Sequence, residues 1–317
     1  MSSEGGELRF RAMGSDAHVI VVGGPRHAAE RIRDRILELE GRWSRFLDTS
    51  EISALNRHAG HPLRLSSETR LLVCRAIDAV RMSGGSFDPT VLGALRRAGY
   101  DRTFDEVALE PHHVDSDLQL GAGGIVVAGD VVRLPRGTGF DPGGIGKGLA
   151  ADLVVGEAMA DGASGVCVGI GGDVRVAGAS PTDDGWTVAI EHPWQERPLV
   201  LVGIGDGAVA TSTTLLRSWH IDGERSHHII DPATSRPSDT DLTLAAVISA
   251  DGWTSEILAK AVLLRGSRHP FDLIGGTAAV AITVDDLGRV QSSDGFTAFT
   301  GGVAVPEWLD LPQGADS

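Results

Sequence analysis

Three groups of residues in this 317-residue chain carry chemistry in their types and spacing. The first is His227-His228, with Asp231 three residues on. A histidine of near-neutral pKa can take a proton from an attacking hydroxyl. Adjacent residues of a strand point to opposite faces, so only one of the pair can face a given pocket. His228 is the stronger candidate, and a histidine bonded only to its neighbours is the alternative left open. The second group is the glycine-rich turn Asp141-Pro-Gly143-Gly144-Ile-Gly146-Lys147-Gly148, which opens into a helical segment from Leu149 to Met159. Backbone N–H groups at such a turn, the helix dipole and the Lys147 ammonium together suit an anion such as a phosphate. Neither the Walker A spacing nor the dinucleotide fingerprint fits, however. Glycines serving a tight connection are the competing explanation. The third group is Glu256 and Lys260, four apart on one helix. They read either as an exposed ion pair of about 0.3–0.5 kcal/mol or, for Glu256, as a carboxylate ligand to a hard cation. Asp88, in Ser86-Phe87-Asp88-Pro89-Thr90, either starts a turn or accepts hydrogen bonds from a heterocycle. His112-His113 sits in a polar stretch and reads as solvated, and zinc-ligand spacing is absent.

These residues need a frame. Strands are expected at Leu8–Arg11 and Ala17–Val22, and an amphipathic helix at Ala28–Leu39, with Ile32, Ile36 and Leu39 on one face. Thr49 or Ser50 caps a short helix, and Ser66–Met82 forms a longer one. Residues 101–115 read as a loop, and Ile125–Val127 with Val131–Leu134 as a hairpin turning at Gly129-Asp130. Val166–Ile170 reads as a buried strand, and Val174–Val176, Trp186–Ile190 and Leu199–Ile204 as a meander. Strands at Ala208–Ser212, Leu244–Ser249 and Ala278–Thr283 follow, with a helix at Ser255–Leu264 that Thr254 could cap. Strand runs without intervening helices predict an α+β fold rather than a doubly wound one. The expectation is a single compact two-lobed unit, with mixed or antiparallel sheets and flanking helices, over residues 8–305. Residues 1–7 are expected to be disordered, and 306–317 to form a polar tail.

Composition bounds the function. A net charge of −15 argues against a nucleic-acid surface, which needs a basic stripe. No apolar run approaches the length of a membrane span, and no signal-like segment opens the chain. The two cysteines, Cys74 and Cys167, lie in apolar surroundings and read as buried thiols. A cytoplasmic protein is expected, and a homodimer only by base rate.

Taken in order, these stretches resemble the ApbE family, the FAD:protein FMN transferases. The matching residues are Met13-Gly14-Ser15, Trp43-Ser44-Arg45-Phe46 and Ser50-Glu51-Ile52-Ser53-Ala54-Leu55-Asn56. They continue with Gly84–Thr90, Asp141–Asp152, Gly171-Gly172-Asp173, Thr211-Ser212 and His228–Pro237. The resemblance spans about residues 8–285. It implies an enzyme that splits FAD at its pyrophosphate, leaves FMN on a Thr or Ser of an acceptor flavoprotein and releases AMP with help from Mg²⁺. By the same resemblance Met13, Phe46, Ser86, Phe87 and Asp88 would line the flavin and adenine parts of the pocket. Asp141 and Lys147 would belong to the diphosphate and ribose region, Thr211 and Ser212 would lie beside the pyrophosphate, and Ile229 would contact FAD. His228 would be the base, and the Gly144 carbonyl and Glu256 carboxylate would face the metal.

One departure bears on mechanism. The family usually has an Asp followed four residues later by a Thr as metal ligands, where this chain has Glu256 and Lys260. An ammonium cannot coordinate a cation and repels one. Lys260 therefore either displaces the metal, bringing its own charge to the diphosphate, or swings out to solvent. Two other readings follow from this change: an FAD-binding carrier without transferase activity, and a hydrolase that cuts FAD with water as acceptor.

Overall fold

The computed structural model describes residues 5–309 apart from 110, 111, 113, 183 and 222, and apart from the side chains of 108 and 109. The chain begins with a hairpin, β1 (Gly6–Ala12) and β2 (Ser15–Val22). A long excursion follows, holding α1 (Ala28–Trp43), α2 (Glu51–Arg57), β3 (Leu63–Arg64), α3 (Ser67–Met82), α4 (Leu92–Arg97), α5 (Phe104–Leu109), β4 (Val126–Ala128), β5 (Val131–Arg133) and α6 (Gly146–Ala160). The chain then returns through β6 (Gly165–Ile170) and β7 (Asp173–Gly178), makes the separate hairpin β8 (Trp186–Glu191) and β9 (Pro198–Ile204), and enters β10 (Gly207–Thr213). Short strands β11 (Ser218–Ile221), β12 (Glu224–His227), β13 (Ile230–Asp231) and β14 (Arg236–Pro237) lead to β15 (Leu242–Ser249). Helix α7 (Gly252–Arg265), β16 (Val280–Asp285) and β17 (Val290–Ser292) complete the order.

One eight-stranded sheet organises the molecule, in the order β1, β2, β6, β7, β10, β15, β16, β17. Every neighbouring pair is antiparallel, and the strands lie side by side in the order the chain makes them. Alternation along the strands sorts side chains to two faces. Val166, Val168 and Ile170 of β6 join a core with α1, α3 and α6, while Cys167 between them packs on the opposite face. Ala245 and Val247 of β15 meet Leu258, Ala259 and Val262 of α7, while Leu244, Ala246 and Ile248 face Trp186, Val188 and Ile190 of β8. Helices thus cover one face and the β8–β9 hairpin the other, the α+β arrangement that the strand pattern predicts.

Several local expectations change. The meander fails after β7, which pairs with β10 and not with β8. Gly178 turns the chain off the sheet at φ 67°, and the alternately buried residues of β8 make a second layer instead. Residues 101–115 are not all loop. In α5 the Glu106 carboxylate accepts from the Thr103 backbone N–H (3.1 Å), one half of a Thr-x-x-Glu capping box. Val107 of α5 is fully buried beside Leu95, Tyr100 and Trp219. His112 is exposed as expected, while His113 lies outside the described residues. At the ends, β1 already includes Gly6 and Glu7, and Trp308 bridges to Arg289 with Leu309 buried. The described structure thus extends past the expected boundaries at 7/8 and 305/306, and residues 1–4 and 310–317 lie outside the described residues.

Candidate active site

A cleft with a cavity volume of about 300 Å³ opens where the β1–β2 turn, the loops after α1 and α3, the start of α6, the segment between β12 and β13, and α7 converge. Each side chain reaches it for a local reason. Met13 sits in a left-handed turn (φ 51°) that the guanidinium of Arg217 holds from across the cleft, donating to the Gly14 carbonyl (3.0 Å) and Ser15 Oγ (2.9 Å). Arg217 is itself left-handed (φ 49°), so two strained residues face each other in the lining. Ser50 caps α2 by accepting from the Ser53 N–H (2.9 Å). That helix presents Asn56, whose amide donates to the Phe140 carbonyl (2.9 Å) and accepts from the Phe140 N–H (2.6 Å). This pairing sets Asp141 against Arg45, Nε to Oδ2 2.7 Å, in an ion pair of two almost fully buried side chains. The Arg45 guanidinium stacks over Phe46 (4.1 Å to the ring centroid) and Tyr100 (4.6 Å), forming an aromatic and cationic wall. Ser83 Oγ accepts from the Phe87 N–H (2.9 Å), and Asp88 starts the turn by accepting from the Thr90 N–H (2.7 Å) and the Thr90 hydroxyl.

The floor is built from the N-terminal ends of α6 and α7. These helices touch where a Cβ on Gly148 would overlap the Gly252 carbonyl, and one on Gly252 would strike the Gly148 carbonyl oxygen. Two glycines therefore permit the crossing. At that distance Glu256 of α7 reaches α6, accepting from the Gly148 N–H (2.8 Å) at one oxygen and from Lys147 Nζ (2.6 Å) at the other. Lys147 also pairs with Asp173 at the start of β7. Burial opposes the Lys147 charge, but Asp173 and Glu256 outweigh it and hold the ammonium above its usual range. Helix α7 is not capped by Thr254; Asp152 of α6 accepts from the Gly252 N–H (2.7 Å) and the Trp253 N–H (2.9 Å). Burial pushes Asp152 up to about 6 against those bonds.

Lys260, one turn further along α7, points into the cleft beside Gly144, where an added Cβ would overlap its Nζ, and lies 5.9 Å from the Phe87 ring centroid. Among the described residues it pairs with no carboxylate within 4.0 Å. Burial lowers its pKa, with Lys147 adding to that and Glu256 opposing it. His228 shares the lining, with Nδ1 buried and lacking a hydrogen-bond partner. Burial first, then the charges of Lys260 and Arg217, holds its pKa well below 6.5, so the imidazole is neutral at neutral pH. His227 points away and bonds the Ser238 carbonyl through Nε2 (3.0 Å).

Of the residues expected from the sequence, Met13, Phe46, Ser86, Phe87, Asp88, Asp141, Gly144, Lys147, His228 and Lys260 all line this cleft. Glu256 lies behind Lys147 instead, and Thr211 and Ser212 stand on β10 outside the lining. Ile229 is turned into the core against α7, and its neighbour Ile230 faces the cleft. The expected anion-holding turn is also altered. Helix α6 starts at Gly146, Asp141 takes the Gly143 N–H (2.5 Å) and Glu256 takes that of Gly148. Arg45 and Arg217 were assigned no role from sequence. Arg45 lies within the Trp-Ser-Arg-Phe stretch, whereas nothing near Arg217 in sequence points to the turn it clamps.

The residues present do not fit a divalent cation at the position the resemblance implies. Both Glu256 oxygens already accept from Lys147 and Gly148, and the Lys260 ammonium takes the space beside Gly144. Among the described residues, no three His, Cys, Asp or Glu side chains cluster to hold a metal. An aromatic wall, a neutral histidine and two cations unpaired with carboxylates suit instead a planar ring compound bearing phosphate.

The sheet and cleft define an α+β protein of one family. The chain belongs to the ApbE family, whose sequence model matches residues 13–282. It is 33% identical over 273 residues to the FAD:protein FMN transferase of Treponema pallidum (strain Nichols), covering 78% of this chain and 74% of that protein. It is 27% identical over 278 residues to the FAD:protein FMN transferase of Vibrio cholerae serotype O1, covering 84% and 80%. The crystal structure of the ApbE protein from Thermotoga maritima superposes with a TM-score of 0.84 at 25% identity, covering 94% of this chain and 99% of that one.

Proposed function

We infer that this chain is an FAD:protein FMN transferase. The observation that carries the reading, beside membership of the family, is His228: a neutral imidazole with an unpartnered buried nitrogen, lining the cleft together with Lys260 and Arg217. His228 takes the proton of an acceptor Thr or Ser hydroxyl. The hydroxyl oxygen bonds to the phosphorus on the flavin side of FAD. The bridging P–O bond breaks, its electron pair leaving on the phosphate of AMP, so acceptor-bound FMN and AMP are the products. Charge develops on phosphate oxygens in such a displacement, so fixed cations and positioning supply most of the catalysis. Phe46, Tyr100, Met13 and Phe87 offer surfaces for the rings, and the Arg45–Asp141 pair holds that wall in place. Two free thiols, Cys74 and Cys167, suit the reducing cytoplasm. No described helix is long and apolar enough to cross a membrane.

The test is a denaturing gel of the protein incubated with FAD and a flavin-acceptor domain, read by flavin fluorescence, with AMP assayed alongside. A fluorescent acceptor band with matching AMP is expected. AMP without a labelled acceptor, across several acceptor domains, would replace transfer by hydrolysis; bound FAD with neither product would leave a carrier.

A further inference from the structure

The cations of the cleft divide into two sets. Arg45 is paired with Asp141, Lys147 with Asp173 and Glu256, and Arg11 with Asp16. Lys260 and Arg217 face no carboxylate within 4.0 Å among the described residues, since Arg217 donates only to a carbonyl and a hydroxyl. Both line the same cleft as His228, and the charges of both disfavour its protonation. The diphosphate of FAD carries two negative charges at neutral pH, and the cleft holds two unpaired positive ones. A Cβ at position 144 would overlap Lys260 Nζ, so glycine there leaves room for the ammonium. Holding an unpaired ammonium in a half-buried cleft is costly until an anion meets it.

We propose that Lys260, seconded by Arg217, is the counter-charge of the FAD diphosphate in this chain and takes the place of a divalent cation. The inference rests on the reading of the cleft as an FAD site. Lys260 meets the diphosphate in the bound state and the extra charge on the AMP phosphate as the bridging bond breaks. Lys147 stays with its two carboxylates and positions α6 against α7.

The experiment titrates FAD, and riboflavin in parallel, into the purified protein by flavin fluorescence, once in EDTA and once in millimolar Mg²⁺. Lys260→Met, Lys260→Thr and Lys260→Arg are measured beside the unsubstituted chain, with thermal melts to confirm folding. The unsubstituted chain is expected to bind FAD alike in both buffers. Removing a charge-assisted contact to phosphate should weaken FAD about tenfold or more in Lys260→Met while leaving riboflavin, which lacks the diphosphate, nearly unchanged. Lys260→Arg should keep most of the affinity in EDTA, and Lys260→Thr should become Mg²⁺-responsive. AMP release in EDTA should follow the same ranking. FAD binding that requires Mg²⁺ in the unsubstituted chain, with Lys260→Met indifferent, would overturn the replacement and leave the transferase reading standing. Equal loss of riboflavin and FAD in folded Lys260→Met would reduce Lys260 to a structural role. No FAD binding in either buffer would overturn the reading of the cleft, and the inference with it.

Discussion

At the residue scale, His228 and Asn56 show how position makes chemistry. An imidazole whose folded pKa lies below its unfolded value binds its proton more weakly in the native state. That imposes no cost above pH 6.5 and an increasing one as pH falls below it. Thermal melts from pH 7.5 to 5 should therefore fall less steeply for His228→Gln than for the unsubstituted chain. The acid limb of kcat/KM, which reports the free enzyme, should lie below pH 6.5. Loss of the base in His228→Ala should lower the rate of AMP release about 10²–10⁴-fold with FAD affinity kept, measured by single-turnover assay. Asn56 acts at one remove. Its truncation to Ala leaves a buried N–H and C=O of Phe140 unpaired, at a cost of about 2–4 kcal/mol in urea unfolding, and frees the segment that carries Asp141.

At the element scale the helices α6 and α7 matter most, and here the sequence was half legible. The apolar spacing of 149–159 and 255–264 predicts both helices. The destination of Lys147 does not follow from it, because its partners are 26 and 109 residues away and only the crossing brings them near. Local spacing pairs Glu256 with Lys260; the fold pairs it with Lys147. Capping follows the same logic, since Thr254 is adjacent in sequence but Asp152 is adjacent in space. The capping pair of α5, Thr103 and Glu106, is local in sequence, yet residues 101–115 read as a loop because their polar pattern hides the short helix. Two glycines of α6 separate crossing from propensity. Gly148→Ala should destabilise by about 1–3 kcal/mol, as overpacking at a helix contact does. Gly156→Ala meets nothing within 4 Å and should stabilise by about 0.5–1 kcal/mol. Chemical denaturation of the two variants side by side checks both signs.

At the scale of the whole molecule, the cleft draws its walls from residues 11 to 260, so it exists only once the sheet has assembled. Strand alternation made most of the sheet legible, and the order of its strands came from the structure, since the partner of β7 is decided by where the β8–β9 hairpin folds back. Ligand linkage follows. At 100 times its Kd, FAD should add about 2.7 kcal/mol of stability, an increase in Tm of about 4 °C for a chain of this length, read by differential scanning fluorimetry.

The strand order has one more consequence. Because the sheet runs in chain order, the segments between its strands are departures that leave one edge and return to the next position. Nearly all of the cleft belongs to them: Phe46, Phe87 and Asp141 to residues 23–164, Arg217 and His228 to residues 214–241, Lys260 to residues 250–279. The frame is thus mute about chemistry, and each departure is a cassette whose ends are fixed by neighbouring strands. Divergence can rewrite one cassette without changing the register of the sheet. Exchanging residues 214–241 for the corresponding segment of a relative is accordingly the cut along which specificity could be moved between proteins.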